Sequence, residues 1–260
     1  MEKPKNMEMT LKENPDSKEE KNKERVSEVR INSNLRKGPF LIDDCDTIPK
    51  LFLKRCIELG SKKTAHREKH FGKWDSYSWG YYQEKVFEIS GALHKLGFKK
   101  SDRLVVLSEC RKEWLYIDIA CQCLRGICTG VYTTDSELQL EYQLRDSAAS
   151  FLFLDNAEQL NKFLSIDRAL PDLRKVIVLD RKNLRGFAHK KVMFLDELYE
   201  LGRKFLEHDR HTIIRKIEEG TPEDIALLVY TSGTTGLPKG VMLNQNNLMY
   251  AQSAGKCVLP

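Results

Sequence analysis

From Thr47 onward, the chain alternates between segments of helical periodicity and short, wholly apolar runs. Between residues 82 and 96, apolar side chains recur every three or four positions, and Gly97 follows where a helix C-cap is expected. We expect a surface helix here with one buried stripe, formed by Tyr82, Val86, Ile89, Leu93 and Leu96. A second helix is predicted over residues 114–124 and is closed by Gly126. This alternation is typical of a layered α/β fold.

The apolar runs are predicted to be β-strands. They cover residues 103–107, 127–132, 151–154, 176–179 and 225–230. Because consecutive positions are apolar, both faces of these strands require cover, which favours helices on both sides of a largely parallel sheet. The prediction is an α/β/α arrangement followed by the beginning of a second sheet. We place the boundary near the charged stretch 181–220, so that residues 38–220 form a first α/β subdomain and 221–260 begin a second.

The first 37 residues differ from the rest in composition. They contain ten Lys and Arg, eight Asp and Glu, and no aromatic residue. Such a segment cannot bury enough apolar surface to compensate for the entropy lost on ordering. We therefore predict a disordered, charged leader over residues 1–37.

Charge and cysteine content exclude several classes of protein. A formal net charge of +5, spread along 260 residues, does not indicate nucleic-acid binding. The seven cysteines form no C-x-x-C pair, so we expect reduced residues, with Cys121 and Cys123 filling the core, and a cytoplasmic protein. No window approaches the ~18 consecutive apolar residues of a spanning helix, and the leader lacks the apolar stretch of a secretory signal. Any membrane association is therefore expected to be peripheral.

The segment most informative about chemistry follows the last predicted strand. Residues 231–240 read TSGTTGLPKG. Glycines let backbone N–H groups converge on an anion, hydroxyls add donors, and Lys239 adds a positive charge, so the loop suits a polyphosphate. It is not a Walker A loop, because the fifth residue after Gly233 is Pro238 and the required spacing is not met. A plain polar turn would not require ten such positions behind a buried strand.

This stretch resembles the phosphate-binding signature of the adenylate-forming superfamily, which includes acyl-CoA synthetases, luciferase-like enzymes and peptide-synthetase adenylation domains. Further segments are similar in order and spacing to bacterial-type long-chain fatty acid CoA ligases: IPKL at 48–51, REKHFGKW at 67–74, YSW at 77–79, GFKKSDR at 97–103, EW at 113–114 and LLVYT at 227–231. The resemblance runs from about Asp46 to the end of the chain. The tryptophans within it, Trp74, Trp79 and Trp114, are expected to be core aromatics.

The resemblance implies a reaction in two steps. A fatty acid carboxylate attacks the α-phosphorus of Mg²⁺-bound ATP and releases pyrophosphate, and the thiol of CoA then displaces AMP. The residues that it assigns to ATP phosphate binding are Thr231, Ser232, Gly233, Thr234, Thr235, Gly236 and Lys239. No catalytic nucleophile and no metal ligand is assigned in this chain, and the six histidines are expected to have surface or packing roles.

One position departs from the family pattern. Relatives commonly continue with Ser or Thr and then His, near the carboxylate and adenylate, whereas this chain has Asn244 and Gln245. A Gln side chain can form hydrogen bonds but cannot carry charge or titrate. Gln245 is therefore expected to lie next to the substrate and to lower the adenylation rate or change the preferred acid.

Family members extend for several hundred residues more, supplying the adenine pocket, most of the acyl tunnel and a C-terminal lid. The 260-residue chain is accordingly expected to be an incomplete and inactive portion of a fatty acid CoA ligase. Two alternatives stay open: a ligase for an aromatic or shorter acid, and a non-catalytic fragment that binds a nucleotide or a partner through its sheet edge. The expected small-molecule partners are a fatty acid, ATP and CoA, and the sequence leaves the oligomeric state open.

Overall fold

The computed structural model describes residues 39–231 and 237–258. The predicted leader, residues 1–37, lies outside them. The helices are α1 (Ile48–Leu59), α2 (Trp79–Lys95), α3 (Lys112–Cys123), α4 (Glu137–Asp146), α5 (Ala157–Ile166), α6 (Leu195–His208), α7 (His211–Glu218) and α8 (Gln245–Val258), with short 3₁₀ turns at Gly60–Lys62 and Asp167–Ala169. The strands are β1 (Thr64–His70), β2 (Lys73–Ser78), β3 (Arg103–Leu107), β4 (Ile127–Val131), β5 (Phe151–Leu154), β6 (Lys175–Val178), β7 (Val192–Phe194), β8 (Ile225–Thr231) and β9 (Lys239–Asn244).

Seven of these strands form one sheet in the order β7-β6-β5-β3-β4-β8-β9. Strands β3 to β8 pair in parallel, and β9 pairs antiparallel with β8. Adjacent residues of β3 lie on opposite faces of the sheet: Leu104 and Val106 belong to one apolar cluster, and Val105 and Leu107 belong to another. Helices α1, α2 and α3 contribute to the first cluster, and α4 and α5 to the second. The predicted α/β/α layering and the largely parallel sheet are confirmed.

Strands β8 and β9 lie in this same sheet, whereas the sequence pattern predicts that residues 221–260 begin a second one. Strand β8 joins β4 through the pair Cys128 and Leu227. Beside this junction, the Arg125 guanidinium binds the carboxylate of Asp224, with 2.8 Å between Nε and Oδ2. The sequence could not anticipate this arrangement, because the pairing and the ion pair join residues about a hundred positions apart. The proposed division at residue 220 stays a prediction.

Helix α2 is enclosed rather than exposed with one buried stripe. Every residue from Val86 to Leu93 is buried, including Glu88. Helix α6 causes this burial because two glycines allow the backbones of the two helices to touch. A Cβ on Gly202 would lie 1.8 Å from the carbonyl oxygen of Glu88, and a Cβ on Gly91 would lie 3.2 Å from the carbonyl oxygen of Gly202.

The two predicted helix ends differ in their backbone. Gly97 has a positive φ of 85°, as expected of a residue that ends a helix. After α3, the positive φ of 61° belongs to Arg125 and not to Gly126. Gly126 serves close packing instead, because an added Cβ would lie 2.4 Å from the ring of Phe98.

The β1–β2 hairpin forms a separate two-stranded sheet that the apolar pattern does not predict. Trp79 and Trp114 pack against the core, as expected. Trp74, on β2, is 62% exposed, so the core role expected for it is wrong. The cause is the position of Trp74 near the tip of this hairpin, where neither strand adjoins the main sheet.

The cysteines follow the expectation from the sequence. Among the six whose side chains the structure describes, all are free and five are buried, and Cys110 is exposed. Over the same part of the chain, none of the helices combines the length and the apolar character needed to cross a bilayer.

Candidate functional site

The loop of residues 231–239 connects the last two strands of the sheet. Its two ends, Thr231 and Lys239, pair across β8 and β9 at the carboxyl end of β8, and both are exposed. Five predicted phosphate-binding residues lie outside the described part of the chain: Ser232, Gly233, Thr234, Thr235 and Gly236. The structure therefore brings together the first and last residues of the predicted site, and the roles of all seven stay predictions.

Helix α4 contacts both ends of this loop. The phenol of Tyr142 donates a hydrogen bond to the carbonyl oxygen of Pro238 over 2.8 Å. At the other end, the phenol of Tyr230 donates to a carboxylate oxygen of Asp146 over 2.7 Å. Burial, together with the hydrogen bond and charge of Asp146, raises the pKa of Tyr230, so this phenol keeps its proton. Because both bonds reach one helix, α4 holds the two strands in position where the loop begins and ends.

A cleft of about 740 Å³ opens beside β8. Its lining includes residues that follow β3, the end of β4, and the last part of β8: Ser108, Glu109, Cys110, Gly130, Val131, Tyr132, Leu228, Val229 and Tyr230. In parallel α/β sheets, ligands bind at the carboxyl ends of the strands, where this cleft lies. Its volume is within the range of small-molecule sites. The sequence predicts the loop but carries no signal for these lining residues, because the fold brings them together from distant positions.

Two cations that line the cleft, Arg111 and Lys112, are compensated by carboxylates. Arg111 binds Glu113 at 2.7 Å and Asp155 at 2.6 Å. Lys112 binds Glu68 at 2.7 Å. Burial alone would raise the pKa of Glu113, but the hydrogen bond and charge of Arg111 outweigh it and lower the pKa below its ordinary value. Arg111 and Lys112 therefore hold α3 against its neighbours, whereas Lys239 is exposed at the end of the loop.

His66 also lines the cleft, from strand β1. Its Nε2 atom lies 2.8 Å from the phenol oxygen of Tyr116, and its ring stacks on Tyr77 with centroids 5.0 Å apart. Burial lowers the pKa of His66, so the imidazole is neutral at pH 7. Within the described part of the chain, its buried Nδ1 atom has no hydrogen-bond partner. The packing role expected for this histidine agrees with these contacts.

Gln245 lies at the opposite end of β9 from Lys239. Gln245 comes six positions after Lys239, which corresponds to roughly 20 Å at about 3.3 Å per residue of β9. The Gln245 side chain is buried, accepts a hydrogen bond from the N–H of Ile48 at 2.9 Å and donates one to Gln122 at 3.0 Å. The structure does not bring Gln245 together with the loop, and these two hydrogen bonds give its side chain a structural role. The substrate contact expected from the family pattern stays a prediction.

Comparison with known proteins decides the family. The family profile described as "AMP-binding enzyme" matches residues 56–258, which is most of the chain. This chain belongs to the AMP-binding enzyme family. The resemblance to adenylate-forming enzymes that the loop signature predicts is therefore confirmed.

Relatives of this AMP-binding family member are named as long-chain-fatty-acid–CoA ligases. ACSBG1 of Mus musculus is 31% identical over 221 residues, which cover 85% of this chain and 30% of the relative. ACSBG1 of Homo sapiens is 33% identical, with 70% of this chain and 25% of the relative covered. ACSBG2 of Homo sapiens is 29% identical, with 80% and 30% covered. The chain thus spans less than a third of the length of these relatives.

Solved structures of similar fold include two proteins of distant sequence. The anthranilate–CoA ligase AuaEII, solved with anthranoyl-AMP, matches with a TM-score of 0.64 and 22% identity over 80% of this chain and 36% of that one. VinN, solved with L-aspartate, matches with a TM-score of 0.60 and 17% identity over 82% and 52%. At these identities the likeness shows that this AMP-binding family member has the same fold.

The family resemblance implies that Mg²⁺ binds together with ATP. We therefore asked whether the described side chains could hold a metal ion. Mg²⁺ typically binds substrate phosphates, waters and one or two carboxylates. Over residues 39–231 and 237–258, no group of three or more His, Cys, Asp or Glu side chains is placed to hold a metal ion. That no residue of this chain is a metal ligand stays a prediction from the sequence.

Proposed function

We propose that this chain supplies the ATP phosphate-binding part of a long-chain-fatty-acid–CoA ligase. The observation that carries the proposal is the position of the TSGTTGLPKG loop. It begins at Thr231 and ends at Lys239 on paired strands, beside a cleft at the carboxyl edge of the sheet. Hydroxyl and N–H donors followed by a lysine at this edge are suited to a triphosphate.

In the proposed reaction, the groups of this loop bind and orient the phosphates. The acid carboxylate attacks the α-phosphorus, the bond to the β-phosphate oxygen breaks, and pyrophosphate leaves with the electron pair. The thiol of CoA then attacks the acyl carbonyl, loses its proton and displaces AMP. Backbone amides, hydroxyls and the Lys239 ammonium would stabilise the charge that develops on the leaving pyrophosphate. Mg²⁺ would supply further charge neutralisation when bound with ATP.

The choice of a long-chain fatty acid is supported by the relatives named above, at 29–33% identity. We propose that these 260 residues bind ATP but do not complete the reaction alone, since they match only 25–30% of the length of those relatives. A cytoplasmic location is part of the proposal, supported by the free cysteines of the described residues.

Phosphate binding can be tested by titrating the chain with Mg²⁺-ATP in a calorimeter. The Lys239→Ala variant should lose at least about tenfold in affinity, because a charge-assisted contact to phosphate contributes roughly 1.5–3 kcal/mol. Lys182→Ala, at an exposed lysine in the loop after β6, is the matched control and should bind as the unmodified chain does. Equal affinities in all three proteins would refute the assignment of the loop.

The acid can be tested in a chimera in which this chain replaces the matching segment of the mouse relative. We expect palmitate-dependent exchange of labelled pyrophosphate into ATP, abolished by Lys239→Ala. The chain alone should show no exchange with palmitate, and exchange there would contradict the proposed incompleteness. A chimera that folds and binds ATP but exchanges only with octanoate or anthranilate would favour a shorter or aromatic acid.

A further inference from the structure

The β1–β2 hairpin ends in a turn that exposes an aromatic side chain. Phe71 and Gly72 form the turn, and both have a positive φ, of 45° and 81°. Two such residues in succession fit the tight turns that match the twist of a hairpin, which usually contain Asn, Asp or Gly. A bulky aromatic residue is rare in this conformation. The side chain of Phe71 is 93% exposed, so it does not contribute to the core.

The hairpin has one side that contacts the protein and a tip that does not. On the inner side, His66 lies beside Tyr116 and Glu68 binds Lys112. Beyond Glu68, every residue from 69 to 76 is exposed. Trp74 pairs with Lys69 across the strands, and the Lys69 ammonium lies 6.0 Å from the centre of the indole ring. The inner contacts thus hold the hairpin in place, and the tip presents Phe71 and Trp74 to the surroundings.

Positive charge surrounds these two rings. Residues 62–75 contain five Lys and Arg against two carboxylates, and one of the carboxylates, Glu68, is bound to Lys112. Arg67, Lys69 and Lys73 are exposed near the tip. Exposed aromatic rings framed by lysines are typical of surfaces that bind at the boundary of a bilayer, where the rings enter the headgroup region and the cations meet lipid phosphates.

We propose that the tip of the β1–β2 hairpin docks on an anionic bilayer surface through Phe71 and Trp74, with Lys69 and Lys73 binding lipid phosphates. The turn at the tip contains only two residues and its neighbours are exposed, so it suits a deformable lipid surface. A stacking groove for single-stranded nucleic acid requires a longer track of basic and aromatic residues. An acidic protein partner would have to provide a matching pocket. The inference is independent of the proposed ligase function.

Vesicle flotation tests the proposal with the 260-residue chain, in the absence of nucleotide, acid and CoA. The chain should float with vesicles of phosphatidylcholine and phosphatidylserine. Phe71→Ser should lower the partition coefficient about tenfold, because a buried Phe ring contributes at least this much. Lys69→Gln and Lys73→Gln should each lower it about fivefold on anionic vesicles, and far less on pure phosphatidylcholine. Ile57→Ser, at a residue of α1 that is 74% exposed, is the matched control and should bind normally.

Tryptophan fluorescence tests whether the tip enters the bilayer. Brominated lipids should quench the emission of the unmodified chain, and this quenching should disappear in Trp74→Phe, because Trp79 and Trp114 pack against the core. Thermal melts establish that the variants are folded.

Three results would overturn the proposal: no flotation on anionic vesicles, an equal loss in Ile57→Ser and Phe71→Ser, or quenching that persists without Trp74. Binding of the tip to heparin or an acidic peptide, with no binding to vesicles, would assign it to another partner and would equally refute a lipid surface. Because the assays contain no substrates, each of these failures leaves the proposed function standing.

Discussion

Replacing Tyr142 by Phe tests whether helix α4 holds the phosphate-binding loop in position. The substitution removes one hydroxyl group and with it the 2.8 Å hydrogen bond to the carbonyl of Pro238. The ring stays and keeps its edge-to-face contact with Tyr230. Any effect therefore reports on the bond between the helix and the end of the loop, and not on lost packing.

The size of the effect follows from the burial of Pro238, which is intermediate. Water can partly replace the lost donor there, so the cost is in the lower part of the usual range for a hydrogen bond, about 0.5–1 kcal/mol. If the bond stabilises the conformation that binds phosphate, ATP affinity should fall about two- to fivefold. The midpoint of thermal unfolding should fall by no more than about 4 °C.

Calorimetric titration with Mg²⁺-ATP measures the affinity, and a thermal melt measures the stability. Tyr250→Phe is the control, because the Tyr250 ring is 53% exposed and lies on α8. Affinity that stays within measurement error in Tyr142→Phe would refute the idea that α4 positions the loop. A fall of equal size in Tyr250→Phe would show that the loss of a phenol has a general effect unrelated to the loop.

Three further substitutions separate stability from binding. Gly202→Ala should lower the free energy of unfolding by about 1–3 kcal/mol or more in a denaturant titration, because its Cβ would lie 1.8 Å from the carbonyl oxygen of Glu88. Burial raises the pKa of Asp118 to about 6 from 3.8. The folded protein therefore holds this proton more tightly than the unfolded chain does. The resulting stabilisation of the fold is lost as the pH rises from 3.8 to about 6. Asp118→Asn should flatten this dependence in melts across that pH range. Gln245→Ala should lower the free energy of unfolding by about 1–3 kcal/mol, because it leaves the N–H of Ile48 without its acceptor, and ATP affinity should not change. A loss of ATP affinity would instead support the substrate contact expected from the family pattern.

Five of the seven strands of the main sheet were predictable because they are apolar at consecutive positions, whereas β7 and β9 were not predicted. Strands β3 and β5 begin and end at the predicted residues, β4 and β8 differ by one residue at one end, and β6 is shifted by one residue at both ends. The hairpin strand β1 was not predictable in this way. Its residues, TAHREKH, contain no apolar run, because only part of one side of the hairpin meets the protein. Hydrophobic patterning detects strands with two buried faces, and β1 is not such a strand.

Sequence reasoning identified the loop but not the groups around it. Ten adjacent residues carry a local signature, which can be read directly from the chain. The hydrogen bond from Tyr142 to Pro238 spans 96 positions, and the one from Tyr230 to Asp146 spans 84. Nothing in the local sequence distinguishes these tyrosines from others. The same limit applies to Gln245, because the local sequence does not show that β9 places it at the far end of that strand from Lys239.

Cys110 makes the cleft accessible to site-directed labelling. It is exposed and lies in the segment after β3 that lines the cleft, whereas the other five cysteines whose side chains the structure describes are buried. With Cys257 replaced by Ser, a maleimide fluorophore would attach at the mouth of the cleft. Its emission would then report, in real time and without radioactivity, when a molecule enters.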